Sequence, residues 1–161
     1  MNLQKIIGTL SSKREIFHSE ADFQFALAWE IQKEYKNAKV RLEYCPKHAK
    51  NEHIDIVVIL EKKIYPIELK YKTKKLVIDK DDEQYELKSH KAHPNNVSKY
   101  ENDIERINDF KQNHKEIFGC GFAIMLTNDC LYENKIKAKW ENYSEIREKN
   151  AVFKYCITKI E

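Results

Sequence analysis

Residues 54–71 constrain the chain more than any other stretch. Ile54-Asp-Ile-Val-Val-Ile-Leu60 is β-branched and almost wholly apolar; Glu61-Lys62-Lys63 interrupts it, and Ile64-Tyr-Pro-Ile-Glu-Leu-Lys-Tyr71 resumes it. Short apolar runs bounded by charge predict two strands joined by a tight turn. Both faces of the pair are largely apolar, so a sheet built on it needs cover on both sides, as in an α/β sandwich. Pro66 lacks an amide hydrogen for a ladder and predicts an edge or bulge position in the second strand.

The flanking segments supply the cover. Ser19 stands three residues before Asp22, a carboxylate variant of the capping box, with Phe17 placed as a staple. Phe23, Leu27 and Ile31 follow at helical spacing, and Ala21, Phe25, Ala28 and Trp29 fill other sides, so a largely buried helix is predicted from Glu20 to Tyr35. Val40 to Tyr44 alternates as a strand. Leu76-Val-Ile78 and Gln84-Tyr-Glu-Leu87 suit a hairpin arm within 72–96, with His93-Pro-Asn-Asn96 as a loop. Ser98 and Glu101 form a second capping box ahead of Tyr100, Ile104, Ile107 and Phe110 or Lys111. Gly119-Cys-Gly121 punctuates the chain. Phe122 to Thr127 reads as a buried strand, Lys135 to Lys149 as partly helical, and Val152 to Ile160 as a last strand. The expected fold is one α/β domain over 1–161. Its order is α-β-β-β-arm-α-β and then α-β, with a mixed central sheet flanked by helices.

Composition excludes several classes. With 161 residues, 42% hydrophobic, 34% charged, 3 Gly and 3 Pro, the chain is neither collagenous nor low-complexity. The longest strictly apolar run, Ile56 to Leu60, falls far short of the roughly 18 residues that span a bilayer. No signal peptide is read at the N-terminus, and a cytoplasmic location without membrane partners is expected. Cys45, Cys120, Cys130 and Cys156 are scattered with no CxxC spacing, as expected of buried or semi-buried thiols in a reducing compartment. A net charge of +3 permits a nucleic-acid partner without demanding one. There is no GxxxxGK[ST], GxSxG or HExxH.

Three charged groups interrupt the two apolar strands: Asp55, Glu68 and Lys70. Strand alternation places Glu68 and Lys70 on one face. A two-residue turn puts Asp55 opposite Glu68, and a four-residue turn puts it opposite Lys70. A three-residue turn sends it to the other face. Unpaired buried charges cost several kcal/mol each, and two adjacent carboxylates repel. A hard divalent cation relieves that repulsion. A neighbouring lysine can orient or deprotonate a water, or steady charge building on a phosphate. The plainer alternative is an Asp55–Lys70 cross-strand ion pair with Glu68 at an exposed edge.

Asp55, then Glu68-Leu-Lys70 after a short hairpin, preceded by a helix carrying acids, resembles the PD-(D/E)XK nuclease superfamily. The resemblance covers roughly residues 19–127 without the arm, and Ile54 stands where the family's proline is usual. It implies a restriction-endonuclease-like αβββαβ core and a Mg2+-dependent phosphodiester hydrolase acting on DNA, most simply an endonuclease, with Mn2+ as substitute and no small-molecule cofactor. Asp55 and Glu68 would bind the metal and Lys70 would be the catalytic lysine. A first-helix glutamate would add a ligand: Glu20 by preference, Glu30 otherwise. A homodimer is also implied. Lys62, Lys63, Lys72, Lys74 and Lys75 form a basic stretch with Lys70 against one acid, Glu68, and are expected to touch phosphates. Lys99 and Arg106 on the later helix are expected to approach phosphates too, unless Arg106 is simply a surface i,i+3 partner of Asp103. Tyr65 and Tyr71 suit base stacking or core packing, and His53 is placed to line the site. With no separate recognition domain in view, the arm or the C-terminal segment would supply any sequence preference. The alternative function is a non-catalytic nucleic-acid- or protein-binding module on the same fold.

Overall fold

The structure is a computed structural model that describes residues 1–47, 49, 52–90 and 94–161, with the backbone alone at Pro94. Its helices are α1 (Leu3–Ser11), α2 (Glu20–Glu34), α3 (Pro94–Asn113) and the short α4 (Leu131–Lys135). Its strands are β1 (Lys39–Tyr44), β2 (Ile54–Leu60), β3 (Lys63–Lys72), β4 (Leu76–Lys80), β5 (Glu83–Leu87), β6 (Gly121–Thr127), β7 (Trp140–Ile146) and β8 (Ala151–Ile160). Six strands make one mixed sheet in the order β1-β2-β3-β6-β8-β7, and β4 and β5 pair separately. Only β3 and β6 run parallel, joined by the crossover through α3.

The hairpin between β2 and β3 closes on Glu61 and Lys62 alone, both with positive φ, and pairs Leu60 with Lys63. Two consecutive left-handed residues are what a tight hairpin turn requires. The register runs Ile56↔Ile67, Val58↔Tyr65 and Leu60↔Lys63. Continued by one residue, it sets Asp55 opposite Glu68.

The sheet is covered on both faces. Ile56, Val58, Ile67, Leu69, Tyr71, Ile124 and Leu126 pack in one layer with residues of α1, α2 and the β4–β5 arm. Val57, Ile64, Ala123, Met125 and Cys156 pack in the other with Tyr100, Ile107 and Phe110 of α3. Alternation therefore carries Glu68 and Lys70 to the α3 side. The Ser19 side chain accepts from the Asp22 amide and caps α2 as the sequence predicts. Tyr71 belongs to the core, stacked against Phe153.

Several expectations change. Leu3, Ile6, Ile7 and Leu10 form the buried face of α1, capped by Asn2, where no helix was expected. Residues 135–149 are helical only at the end of α4 and in a 3-10 turn at Arg147–Lys149; β7 occupies the middle of that span. A bulge between Asn142 and Ser144 turns Tyr143 and Ile146 both inward, which mimics helical spacing in a strand. Ser98 lies inside α3 rather than at its cap, because the helix starts at Pro94; Pro94–Asn96 is thus helical, and His93 lies outside the described residues. β3 is central, not an edge, so Pro66 is not there for want of a neighbour. Ile64 bonds to Ile117 and Gly119, whereas pairing with β6 begins at Ile67, so Pro66 falls between two stretches of ladder. The β4–β5 arm forms as expected but folds back: Leu76, Ile78, Tyr85 and Leu87 are buried, and His18 stacks on Tyr85. No disulfide forms; Cys120 and Cys156 are buried, Cys45 and Cys130 exposed. Among the described residues no helix is long and apolar enough to cross a membrane.

α3 sits close on the sheet because Gly121 has no side chain. A Cβ there would stand 2.2 Å from Ile107 Cγ2. Gly121→Ala is expected to push α3 outward and cost about 1–3 kcal/mol, read as a lower denaturant midpoint with an unchanged slope. An unchanged midpoint would mean the contact yields freely.

Candidate active site

The β2–β3 hairpin and α3 together assemble a buried charge cluster. Glu68 has no exposed surface. Its Oε1 accepts from Arg106 Nη1 at 2.8 Å, while its Oε2 is buried with no hydrogen-bond donor among the described residues. Asp55 Oδ2 accepts from the Leu69 amide at 2.6 Å, which ties the aspartate to the backbone between Glu68 and Lys70. Lys70 Nζ donates to the Leu69 carbonyl at 3.0 Å and stands 2.8 Å from Asp103 Oδ2. That second approach is an ion pair, and Asp103 Oδ2 accepts no other contact among the described residues. Asp103 Oδ1 lies 3.5 Å from Arg106 Nη1.

Electrostatics follow from burial. Desolvation pushes Glu68 up to about 9, with the neighbouring Asp55 carboxylate adding to the rise and Arg106 opposing it. Asp55 is raised by burial, against the pull of the Leu69 amide and Lys70. Asp103 is likewise raised by burial, against Lys70. For Lys70, burial works downward, but Asp103, with Glu20 and Asp55, outweighs it and holds the ammonium above its usual range. The Asp55–Glu68 pair thus retains a proton at neutral pH, and Lys70 is charged.

α2 lies across the sheet from this cluster and meets its strands at the end of β3 and the start of β2. Glu20 Oε2 accepts from the Tyr71 amide at 2.7 Å and from Lys72 Nζ at 2.9 Å. One turn on, Gln24 donates to the Asp55 carbonyl and to Glu43 Oε1, fastening α2 to β2 and β1. Glu20 acts electrostatically on both Asp55 and Lys70. Glu30 is far along the helix, paired with Lys13 and Lys33. Among the described residues no three His, Cys, Asp or Glu side chains converge as a ready cation cage.

The lysines do not form one stripe. Lys62 and Lys63 lie at the turn end of the hairpin, and Lys63 donates to the Glu116 carbonyl. Lys72 ends β3, about 30 Å away at strand rise, and Lys74 and Lys75 lie just past it. Of these, Lys72 pairs with Glu20 and Lys74 with Asp129. Arg106 turns its guanidinium to Glu68 instead of pointing wholly outward, though it keeps 30% of its side-chain surface exposed. His53 is exposed just ahead of β2.

Asp103 is the residue the sequence reading misplaced. It is 2% exposed rather than half of a surface pair. The signal was present: Tyr100, Asp103, Ile107 and Phe110 form an i, i+3, i+7, i+10 stripe, and all four are buried. A carboxylate in the middle of such a stripe needs a buried cation, and Lys70 is that cation.

Fold and site define a mixed α/β domain with one buried carboxylate, one half-buried carboxylate and a lysine gathered on one hairpin. The family model described as nuclease-related domain (NERD) matches residues 17–124, from just ahead of α2 into β6. The chain belongs to that family and has a nuclease-related function. No curated protein and no solved structure matches it.

Proposed function

We propose that this chain is a metal-dependent nuclease of the PD-(D/E)XK type, hydrolysing phosphodiester bonds in DNA, most simply as an endonuclease. The observation that carries the reading is the Asp55–Glu68 pair beside Lys70, with Glu68 Oε2 buried and without a donor among the described residues. The order α2-β1-β2-β3-α3-β6, with the arm inserted after β3, supports the restriction-endonuclease-like αβββαβ core. Mg2+ commonly takes one or two carboxylates and completes its shell with water and substrate phosphate. The two carboxylates present fit that demand, and the partnerless oxygen is where a cation would be most favourable. Asp55 and Glu68 would hold the ion, with Glu20 beside them rather than between them. When bound, the ion would supply Lewis-acid stabilisation of the phosphate and a more acidic water. The chain's own contribution is Lys70. Held as an ammonium, it is suited to orienting the attacking water and to neutralising charge on the phosphate rather than to taking a proton. DNA as substrate and a homodimer are parts of this proposal.

A second reading has one observation in its favour. Arg106 occupies Glu68 Oε1 and so supplies a cation of the protein's own. A non-catalytic nucleic-acid-binding module would use such an arrangement. Incubation of the purified protein with linear, circular, single-stranded and branched DNA, and with RNA, each with and without Mg2+ or Mn2+, separates the two. Cleavage that requires the ion supports the nuclease; binding without cleavage under every condition supports the module. Sedimentation of the same protein tests the dimer.

Binding should weaken steeply with salt if the lysines meet phosphate. Lys62, Lys63 and Lys75 have no carboxylate partner among the described ion pairs. Neutralising all three is expected to flatten the log–log salt slope on duplex DNA by roughly 2–3. An unchanged slope would leave them as ordinary solvated charges.

A further inference from the structure

We propose that Asp103 of α3 is the positioning residue for Lys70, fixing its ammonium beside the Asp55–Glu68 pair. The inference rests on the nuclease reading and deepens it. Asp103 is buried to 2% exposure on the sheet-facing side of α3, whereas Glu101, Glu105 and Asp109 of the same helix are exposed. A buried carboxylate is tolerated only where a cation answers it. Its Oδ2 stands 2.8 Å from Lys70 Nζ, its closest partner among the described residues. Arg106, at 3.5 Å from the other oxygen, is committed at 2.8 Å to Glu68.

From the side of Lys70 the need is equal. Apart from its approach to Asp103, its hydrogen bond among the described residues goes to the carbonyl of the residue before it, Leu69. That bond leaves a long, flexible side chain free to swing out of the cluster. Asp103 closes off that freedom from the opposite wall. It also stands on a helix set tightly against β6 through Gly121 and Ile107, so the anchor is rigid. A group acting in the transition state must be held within a fraction of an ångström, and loss of its anchor shows chiefly in turnover.

The test is a cycle of Asp103→Asn and Lys70→Met, with cleavage measured at saturating Mn2+ and Mn2+ binding measured by calorimetry. Asp103→Asn keeps the shape and is expected to lower kcat at least tenfold, with KM for DNA and Mn2+ affinity changed less than about threefold. In the Lys70→Met background the same substitution should lower kcat by less than twofold, because nothing remains to be positioned. A structural role alone would lower kcat equally in both backgrounds. Melting curves establish that each variant folds, and Asp103→Ser replaces Asp103→Asn if that variant does not. Parental turnover in Asp103→Asn, or an equal loss with and without Lys70, overturns the proposal while the nuclease reading stands. A parental protein inactive on every nucleic acid and ion overturns both.

Discussion

Lys70→Met is expected to lower DNA cleavage by about 10² or more while leaving divalent-cation binding intact or slightly tighter. The side chain keeps its bulk and loses its charge. Lys70 acts electrostatically on Asp55, so removing the ammonium takes away a competitor for the carboxylate pair. The reaction loses the group placed to orient water and neutralise phosphate. The substitution also strands Asp103, whose closest cation is Lys70 at 2.8 Å. Breaking a buried pair on one side costs about 3–5 kcal/mol, part of it recovered if Asp103 takes up a proton. Lys70→Met should therefore melt lower than the parental protein, and adding Asp103→Asn should restore much of the stability without restoring cleavage. Calorimetry with Mn2+ beside a plasmid-nicking assay separates the three effects. Nicking at the parental rate by Lys70→Met would sink the mechanism, whatever the stability.

The sheet was legible where local pattern and tertiary demand agree. The β2–β3 hairpin reads directly from two apolar runs around a charged turn, and α2 from its cap and spacing. Expectation failed where a longer-range contact decides. β7 pairs with β8 at the edge of the sheet, and its bulge sets Tyr143 and Ile146 three apart on one face, which a local reading takes for helix. Pro66 speaks against a central strand only when a neighbour bonds at that residue; here the parallel partner starts one residue later. α1 carried its own signal in the i, i+3, i+4, i+7 spacing of Leu3, Ile6, Ile7 and Leu10.

The site was legible to a different degree on each wall. Asp55, Glu68 and Lys70 lie within 16 positions of one another, and strand period fixes their relative faces once the turn length is known. The helical contributions depend on which side of the sheet each helix covers, and the local sequence of neither helix states that. α2 covers the far side, so Glu20 meets the Tyr71 amide at the strand end. α3 covers the near side, so Asp103 and Arg106 enter the cluster. What reads as an i,i+3 surface pair is two inward-turned partners, one for each charge on β3.

Glu68→Gln is expected to make the metal-free protein more stable at neutral pH. Burial raises the Glu68 pKa from 4.5 to about 9. Between those values the folded state binds a proton that the unfolded state has released, so stability falls as pH rises through that window. Below pH 4.5 both states are protonated and the penalty vanishes. At pH 7 it amounts to about 3 kcal/mol for a side chain with no exposed surface, shared with Asp55 through the retained proton. Glutamine has the same shape, does not titrate, and still offers an oxygen to Arg106. The variant should gain about 2–3 kcal/mol at pH 7, several degrees in Tm, and lose most of the decline between pH 5 and 9. It should also gain nothing from added Mn2+, whereas the parental protein is stabilised in proportion to ion binding. Cleavage should fall with metal affinity. Stability and function then pull in opposite directions at one carboxylate, as expected of a group buried for its chemistry rather than for the fold. A Glu68→Gln protein that melts below the parental one at pH 7, or keeps the parental pH slope, would place the retained proton elsewhere and remove this account of Glu68.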